Sequence, residues 1–260
     1  GYPQGAMGPQ MMEDLKSQAE RFGTKIISEF ITDFNHNAEG PHKLTSETGE
    51  EILAHTVIIS TGASAKWLGI PSEQTFMNKG VSACAVCDGF FFRGMDVAIV
   101  GAGDSAAEEA LYLSKLCTKV HMLVRRDEMR ASKIMQERVL AADNIEIHWN
   151  TETKEIIGGD EIEGVKVFNN KTKEIHTLDV KGFFVAIGHT PNTDLFKGTL
   201  DMDDTGYLIT KPGSTKTNVE GVFASGDAQD SVYRQAITAA GTGCMAALDA
   251  ERYLTEKGII

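Results

Sequence analysis

One stretch constrains the fold of this chain more than any other: Asp96-Val97-Ala98-Ile99-Val100 followed by Gly101-Ala102-Gly103-Asp104-Ser105-Ala106. The apolar run reads as a strand buried on both faces. The turn fits G-x-G-x-x-A. Gly101 permits a tight turn, Gly103 lets backbone approach a pyrophosphate, and Ala106 allows close helix–strand packing. A helix is predicted over 108–116, and the helix N-terminus offers free N–H groups and a positive dipole end to phosphates. A second strand is predicted over 119–124. Together these make one βαβ unit of a parallel sheet. A purely structural glycine turn is the competing reading; the flanking strand and helix favour a dinucleotide.

The end of the second strand indicates which dinucleotide. An NAD site carries an acidic residue there to take the ribose 2′-hydroxyl. This chain has Arg125-Arg126 and then Arg130. Guanidinium groups hold a 2′-phosphate through charge-assisted hydrogen bonds, so NADP(H) fits better than a solvated basic cluster.

Two other apolar runs, 57–62 and 184–188, both end in glycine and both look like a core strand feeding a tight loop. The tail repeats the pattern, with a strand at 221–224, a Ser225-Gly226-Asp227 turn and a helix over 233–254. We therefore expect an α/β protein with two dinucleotide-binding (Rossmann-like) domains, one interrupted by the other. A helix is also predicted at 9–22, strands at 24–30 and 51–53, a turn-rich connection at 69–80, a helix at 132–142, and short strands at 145–148, 154–157, 164–168 and 176–180.

Composition removes other classes. With 42% hydrophobic and 24% charged residues the chain is not of disordered type. No apolar run approaches the ~20 residues that span a bilayer. With 25 basic and 37 acidic residues the formal charge is −12, which argues against nucleic acid as a partner. The chain opens Gly1-Tyr2-Pro3 without an initiator Met or a targeting segment. It is expected to join a longer protein partway and to act in the cytoplasm.

There are four cysteines, at 84, 87, 117 and 244, too sparse for a disulfide-stapled secreted domain. Cys84-Ala85-Val86-Cys87 reads as a redox pair, able to cycle between dithiol and disulfide. Zinc is its competitor, but a structural site needs about four ligands, and no second C-x-x-C or H-x-x-x-H completes one. No metal is expected. Cys117 and Cys244 read as buried packing residues. Asp88 follows the pair directly and is placed to act as general acid; a plain Asp-Gly turn is the equal alternative. A nicotinamide delivers hydride, and a flavin is the usual intermediary to a disulfide. Asp227 is a candidate for a flavin hydroxyl, or a helix-initiating Asp.

These segments, Ala83 through Phe91, Gly101 through Ala106, Val124 through Arg130 and Gly221 through Ala250, resemble the low-molecular-weight thioredoxin reductases of bacteria and plants. Tyr233-Arg234-Gln235-Ala236 and Ala240-Gly241-Thr242-Gly243-Cys244 are the most specific part. The resemblance implies an FAD domain split by an inserted NADPH domain: residues 1–66 and 194–260 for FAD, 67–193 for NADPH and the redox pair. It implies that NADPH electrons pass through FAD to the Cys84–Cys87 disulfide and on to thioredoxin. Cys87 would lie nearer the flavin, Cys84 would attack the substrate disulfide, and Asp88 would protonate. Thr61, Gly62, Ala63, Gly226, Asp227, Arg234, Gln235 and Ala236 would hold FAD. Gly101, Gly103, Asp104, Ser105 and Ala106, with Arg125, Arg126 and Arg130, would hold NADPH. The family rotates its NADPH domain against its FAD domain and usually works as a homodimer. Its FAD domain opens with a strand and G-x-G-x-x-G turn that are not found before Gly1, so the first βαβ unit is expected to be missing. Two further readings follow: an NADP(H)-binding module without flavin turnover, and a reductase of another thioredoxin-like or peroxidase-linked redox protein.

Overall fold

The computed structural model describes residues 2–260. They form two compact units, one running up to Ser60 and resuming at Thr193–Ile260, the other Thr61–Asn192. The sequence reading set the divisions at 66/67 and 193/194. The difference has a local cause. Ala63–Ala65 pairs antiparallel with His189–Pro191. Asn192 closes the pair, its N–H donating to Gly62 O at 2.9 Å and its Nδ2 to Thr61 O at 2.9 Å. Both chain crossings are thereby tied to the inserted unit.

The inserted unit is built on a five-stranded parallel sheet in the order Val81–Ser82, Gly182–Val185, Asp96–Val100, Lys119–Val124, Ile145–Trp149. Each central strand alternates its side chains between two apolar layers. Val97, Ile99, Val120, Met122 and Val124 pack with Leu113 and Val139 from helices Asp104–Ser114 and Lys133–Leu140. Ala98, Val100, Leu123, Phe183 and Val185 pack with Ile156, Val165 and Val167. Those three belong to an antiparallel sheet of Thr151–Gly158, Ile162–Asn169 and Ile175–Leu178. Burial of each large aliphatic side chain contributes about 1.5–3 kcal/mol, so both faces of the sheet are held.

The other unit has less regular structure. Ile31–Asn35, His42–Ser46 and Glu51–Ala54 form an antiparallel sheet, and Val57–Ile59 pairs in parallel with Val222–Ala224. Phe34, Ile59, Phe196, Leu208, Val222 and Ala224 make its core. The predicted N-terminal helix forms at Gly8–Arg21, with Pro9 at its start, but buries no residue. The strand expected over 24–30 does not form: among the described residues no strand pairs with it, and Ile26, Ile27 and Phe30 are exposed. Its apolar pattern suits a strand, but a strand also requires a backbone partner. The predicted C-terminal helix runs Ala236–Glu256.

Candidate active site

The redox pair sits at the start of a one-turn helix in the inserted unit. Cys84 caps Ala85–Asp88, and Cys84 and Cys87 are joined as a disulfide. Three contacts fix the turn. Cys87 N–H donates to Cys84 Sγ at 3.2 Å, Cys84 N–H donates to Ser82 Oγ at 3.0 Å, and Asp88 N–H donates to Cys84 O at 3.1 Å. Ala85 N–H also reaches the Glu109 carboxylate at 3.3 Å. Glu109 lies on the helix that the glycine turn opens, so the redox turn is docked on that helix. Cys84 is half-buried and Cys87 exposed. Asp88 is half-buried and lines a cleft of about 1110 Å³ with Ser82, Lys79, Lys181 and Glu161. That cleft gives the carboxyl a route for proton exchange with water.

The glycine turn keeps the expected geometry. Gly101 has φ +152°, and a Cβ there would stand 2.3 Å from Ala186 O and 2.6 Å from the Ala106 Cβ. No other residue fits this crossing of strand and helix. A Cβ on Gly103 would meet nothing within 4 Å. Gly103 therefore leaves open the space in front of the helix N-terminus, and backbone N–H groups there can cradle a pyrophosphate. The Asp104 carboxylate is engaged by Ser132. Its Oδ1 accepts from Ser132 N–H at 2.9 Å and Ser132 Oγ at 2.8 Å, which holds its carboxyl below the usual range. Arg130 N–H donates to Ala102 O at 2.7 Å, bringing its backbone against the glycine turn. Arg125 and Arg126 follow the strand Lys119–Val124 directly, and all three arginines are exposed. The turn and the three cations thus share one end of the parallel sheet.

The second cluster lies in the other unit, in the loop before helix Ala236–Glu256. Gly226 takes φ +62°, and its N–H donates to Thr242 Oγ1 at 2.9 Å. Asp227 Oδ1 is buried with no hydrogen-bond partner. Burial, with the nearby Asp230 charge, pushes this carboxyl up, and Arg234 only partly offsets that. A buried acceptor without a donor costs about 1–3 kcal/mol, so this oxygen is arranged for a donor from a ligand.

Asp230, which the sequence reading did not single out, organises the loop. It accepts from Val232 N–H, Tyr233 N–H and Arg234 N–H at 2.9, 2.8 and 3.0 Å, and from Thr238 Oγ1 at 3.2 Å. Burial pushes it up, but these donors overcome burial and hold it low. They also hold Arg234 at φ +47°, a left-handed conformation that costs a non-glycine residue of order 1 kcal/mol. The signal was present as an Asp followed by residues whose N–H groups it can collect. Gln235 and Thr238 close a capping box on the helix, which begins at Ala236. The structure thus brings Gly226, Asp227, Arg234, Gln235 and Ala236 into one loop. Thr61, Gly62 and Ala63 fall in the inserted unit, where Gly62 (φ +71°) and Thr61 bond Asn192.

The remaining cysteines differ from each other. Cys117 is buried as expected, and burial, with Asp96, pushes its thiol up to about 11, so it is inert. Cys244, expected to be buried, is exposed. The buried face of its helix is set by Ala246 and Ala250, one turn apart, and Cys244 points off that face.

A family model for the pyridine nucleotide-disulphide oxidoreductases matches residues 11–243. The thioredoxin reductase of Rickettsia conorii is 50% identical over 259 residues, 98% of this chain and 83% of that protein. The thioredoxin reductase of Debaryomyces hansenii is 51% identical over 263 residues, 99% and 82%. Among solved structures, thioredoxin reductase from Giardia duodenalis superposes with a TM-score of 0.92 at 40% identity, covering 98% of this chain and 84% of the other. That from Streptococcus pyogenes gives 0.93 at 36%, with the same coverage. The bonded C-x-x-C turn, the glycine turn with its arginines and these likenesses agree: the chain belongs to the pyridine nucleotide-disulphide oxidoreductase family, within its low-molecular-weight thioredoxin reductase group.

Proposed function

We propose that the chain carries electrons from NADPH through FAD to the Cys84–Cys87 disulfide and from there to the disulfide of thioredoxin. The observation that carries this reading is the bonded Cys84–Cys87 pair on a turn docked, through Glu109, on the helix of the NADP-type glycine turn. FAD and NADPH are the family's cofactors, and the residues present fit both. The open face of Gly103 and the helix N-terminus suit a pyrophosphate, with Arg125, Arg126 and Arg130 for the 2′-phosphate. The unpartnered Asp227 Oδ1 suits a flavin hydroxyl, with Gly226, Arg234, Gln235 and Ala236 around it. The same orphaned oxygen favours a flavin enzyme over an NADP(H)-binding module alone. We assign the unit Thr61–Asn192 to NADPH and the other unit to FAD.

Held by Asp227 with Gly226, Arg234, Gln235 and Ala236, FAD would supply the two-electron chemistry that links a hydride donor to a disulfide. The chain's own residues do the rest. Reduction of the Cys84–Cys87 bond gives two thiols. Cys84, as thiolate, attacks a sulfur of the thioredoxin disulfide; a mixed disulfide forms and one thioredoxin thiolate leaves. Cys87, as thiolate, attacks Cys84 Sγ, re-forms the internal disulfide and releases the second thioredoxin thiolate. The Cys87 N–H bond to Sγ stabilises the attacking thiolate. Asp88, open to the cleft, relays the protons that balance each exchange. The sum consumes NADPH, one proton and one disulfide and yields NADP+ and a dithiol. Among the described residues no helix is long and apolar enough to cross a membrane. We place the enzyme in the cytoplasm, as a homodimer, on its need for a reducing compartment and its family likeness. The test is NADPH oxidation with thioredoxin disulfide as acceptor. Turnover in the unsubstituted protein and a loss of about 10³-fold or more in Cys84→Ser and in Cys87→Ser are expected. Unchanged turnover in either variant would contradict the reading.

A further inference from the structure

The inserted unit carries a second cluster of chemistry-bearing side chains that electron transfer does not use. Lys119–Val124 pairs in parallel with Ile145–Trp149 in the register His121↔Glu146 and Leu123↔His148. Side chains alternate along a strand, so His121, Glu146 and His148 fall on one face. It is the face that also carries Leu123, which packs beneath the antiparallel sheet. The two imidazoles are nearly enclosed, with side chains 10% and 13% exposed, and Glu146 opens to solvent at 48%.

The donor atoms converge. His121 Nδ1 lies 2.9 Å from His148 Nε2, Glu146 Oε2 lies 4.0 Å from His121 Nδ1, and Glu146 Oε1 lies 3.7 Å from His148 Nε2. Ligand atoms on a tetrahedral zinc, with bonds of about 2.0–2.1 Å, stand about 3.3 Å apart. Taking one donor atom from each residue, all three lie within 4.8 Å of one another, so a shift of the half-exposed Glu146 side chain brings the set to that spacing. The ring of His176, on the neighbouring Ile175–Leu178 strand, is centred 6.3 Å from that of His148 and reaches solvent, so a fourth imidazole or a water can complete the set. Two imidazoles and a carboxylate form a donor set that selects borderline divalent metals over calcium or magnesium.

We propose that His121, Glu146 and His148 form a zinc-binding site that clamps the edge strand of the parallel sheet to its neighbour. In its absence the cluster is held by other means: the imidazoles share one hydrogen bond, and Lys119 pairs with Glu146 Oε2. Zinc replaces the shared proton and competes with the Lys119 ammonium for the carboxylate. Lys119 is 41% exposed and can swing into water.

The test is calorimetric titration of Zn2+ into the full chain with its Cys84–Cys87 disulfide intact, which removes those thiols as ligands. One Zn2+ per chain is expected, with binding weakened at least about tenfold in His148→Asn and in Glu146→Gln. Lys119→Met should bind zinc more tightly, and Cys244→Ser should bind it unchanged. Glu146→Gln lies on a half-exposed side chain and keeps the test valid should His148→Asn not fold. No binding heat would overturn the proposal. So would affinity that survives both ligand substitutions, or that disappears in Cys244→Ser.

Discussion

The two units place their chemistry on different kinds of support. In Thr61–Asn192 the glycine turn and the redox turn both rest on a parallel sheet buried on both faces, and the glycine turn presents backbone N–H donors. In the other unit the parallel pairing is only two strands, helix Gly8–Arg21 buries nothing, and Met12, Leu15, Phe22, Ile26, Ile27 and Phe30 face solvent. Its site is a polar loop held by one aspartate, Asp230, around another, Asp227, that lacks a partner. A backbone cradle is stable whether or not its ligand is present. A buried acceptor without a donor is a cost that only the ligand removes.

The comparison can be broken first at the arginines. Arg125→Ala with Arg126→Ala should raise the KM for NADPH by about 10–100-fold, from the loss of charge-assisted hydrogen bonds. The KM for NADH and the melting temperature should stay put, since both side chains are exposed. Steady-state kinetics with the two nucleotides and a melting curve check this. A matching loss with NADH would mean the arginines do not read the 2′-phosphate.

Asp227→Asn should behave the opposite way. Flavin content should fall, read as the ratio of flavin to protein absorbance. Stability of the flavin-free chain should hold or rise by about 1 kcal/mol, because a buried carboxylate without a donor is gone. Denaturant unfolding measures it. Were Asp227 instead a helix-initiating residue, stability would fall by a similar amount.

A further effect appears in acid. Burial pushes His148 down from 6.5 to about 4. The unfolded chain therefore takes up this proton first. The contribution is fully present above pH 6.5, is lost as pH falls toward 4, and does not change below that. A loss of about 1–2 kcal/mol is expected, after allowance for solvent around the ring. His148→Asn should flatten the profile over that window, measured by denaturant unfolding at successive pH values.

How far the sequence alone reached follows the same division. The strand Asp96–Val100, its glycine turn, the strand Lys119–Val124 and the C-x-x-C were legible because each is specified by residues adjacent along the chain. The 24–30 segment was misread because its pairing partner is not a local property. Asp230 carries the turn signal of an Asp, but which N–H groups it collects, those of Val232, Tyr233 and Arg234, becomes visible only once the loop is closed. The His121–Glu146–His148 cluster was missed for a further reason. Its members are 25 and 27 residues apart, and only strand register aligns them. The exposure of Cys244 depended on which face of a long helix is covered, and Ala246 with Ala250, rather than the flanking glycines, sets that face.

The central claim is that NADPH electrons reach one particular disulfide. Anaerobic incubation of the protein with NADPH, followed by thiol alkylation and peptide mass analysis, tests it directly. The account predicts that Cys84 and Cys87 become alkylated only with NADPH, that exposed Cys244 is alkylated with or without it, and that buried Cys117 is spared in both. A Cys84–Cys87 pair that stays unalkylated after NADPH, in protein with its flavin bound, would contradict it.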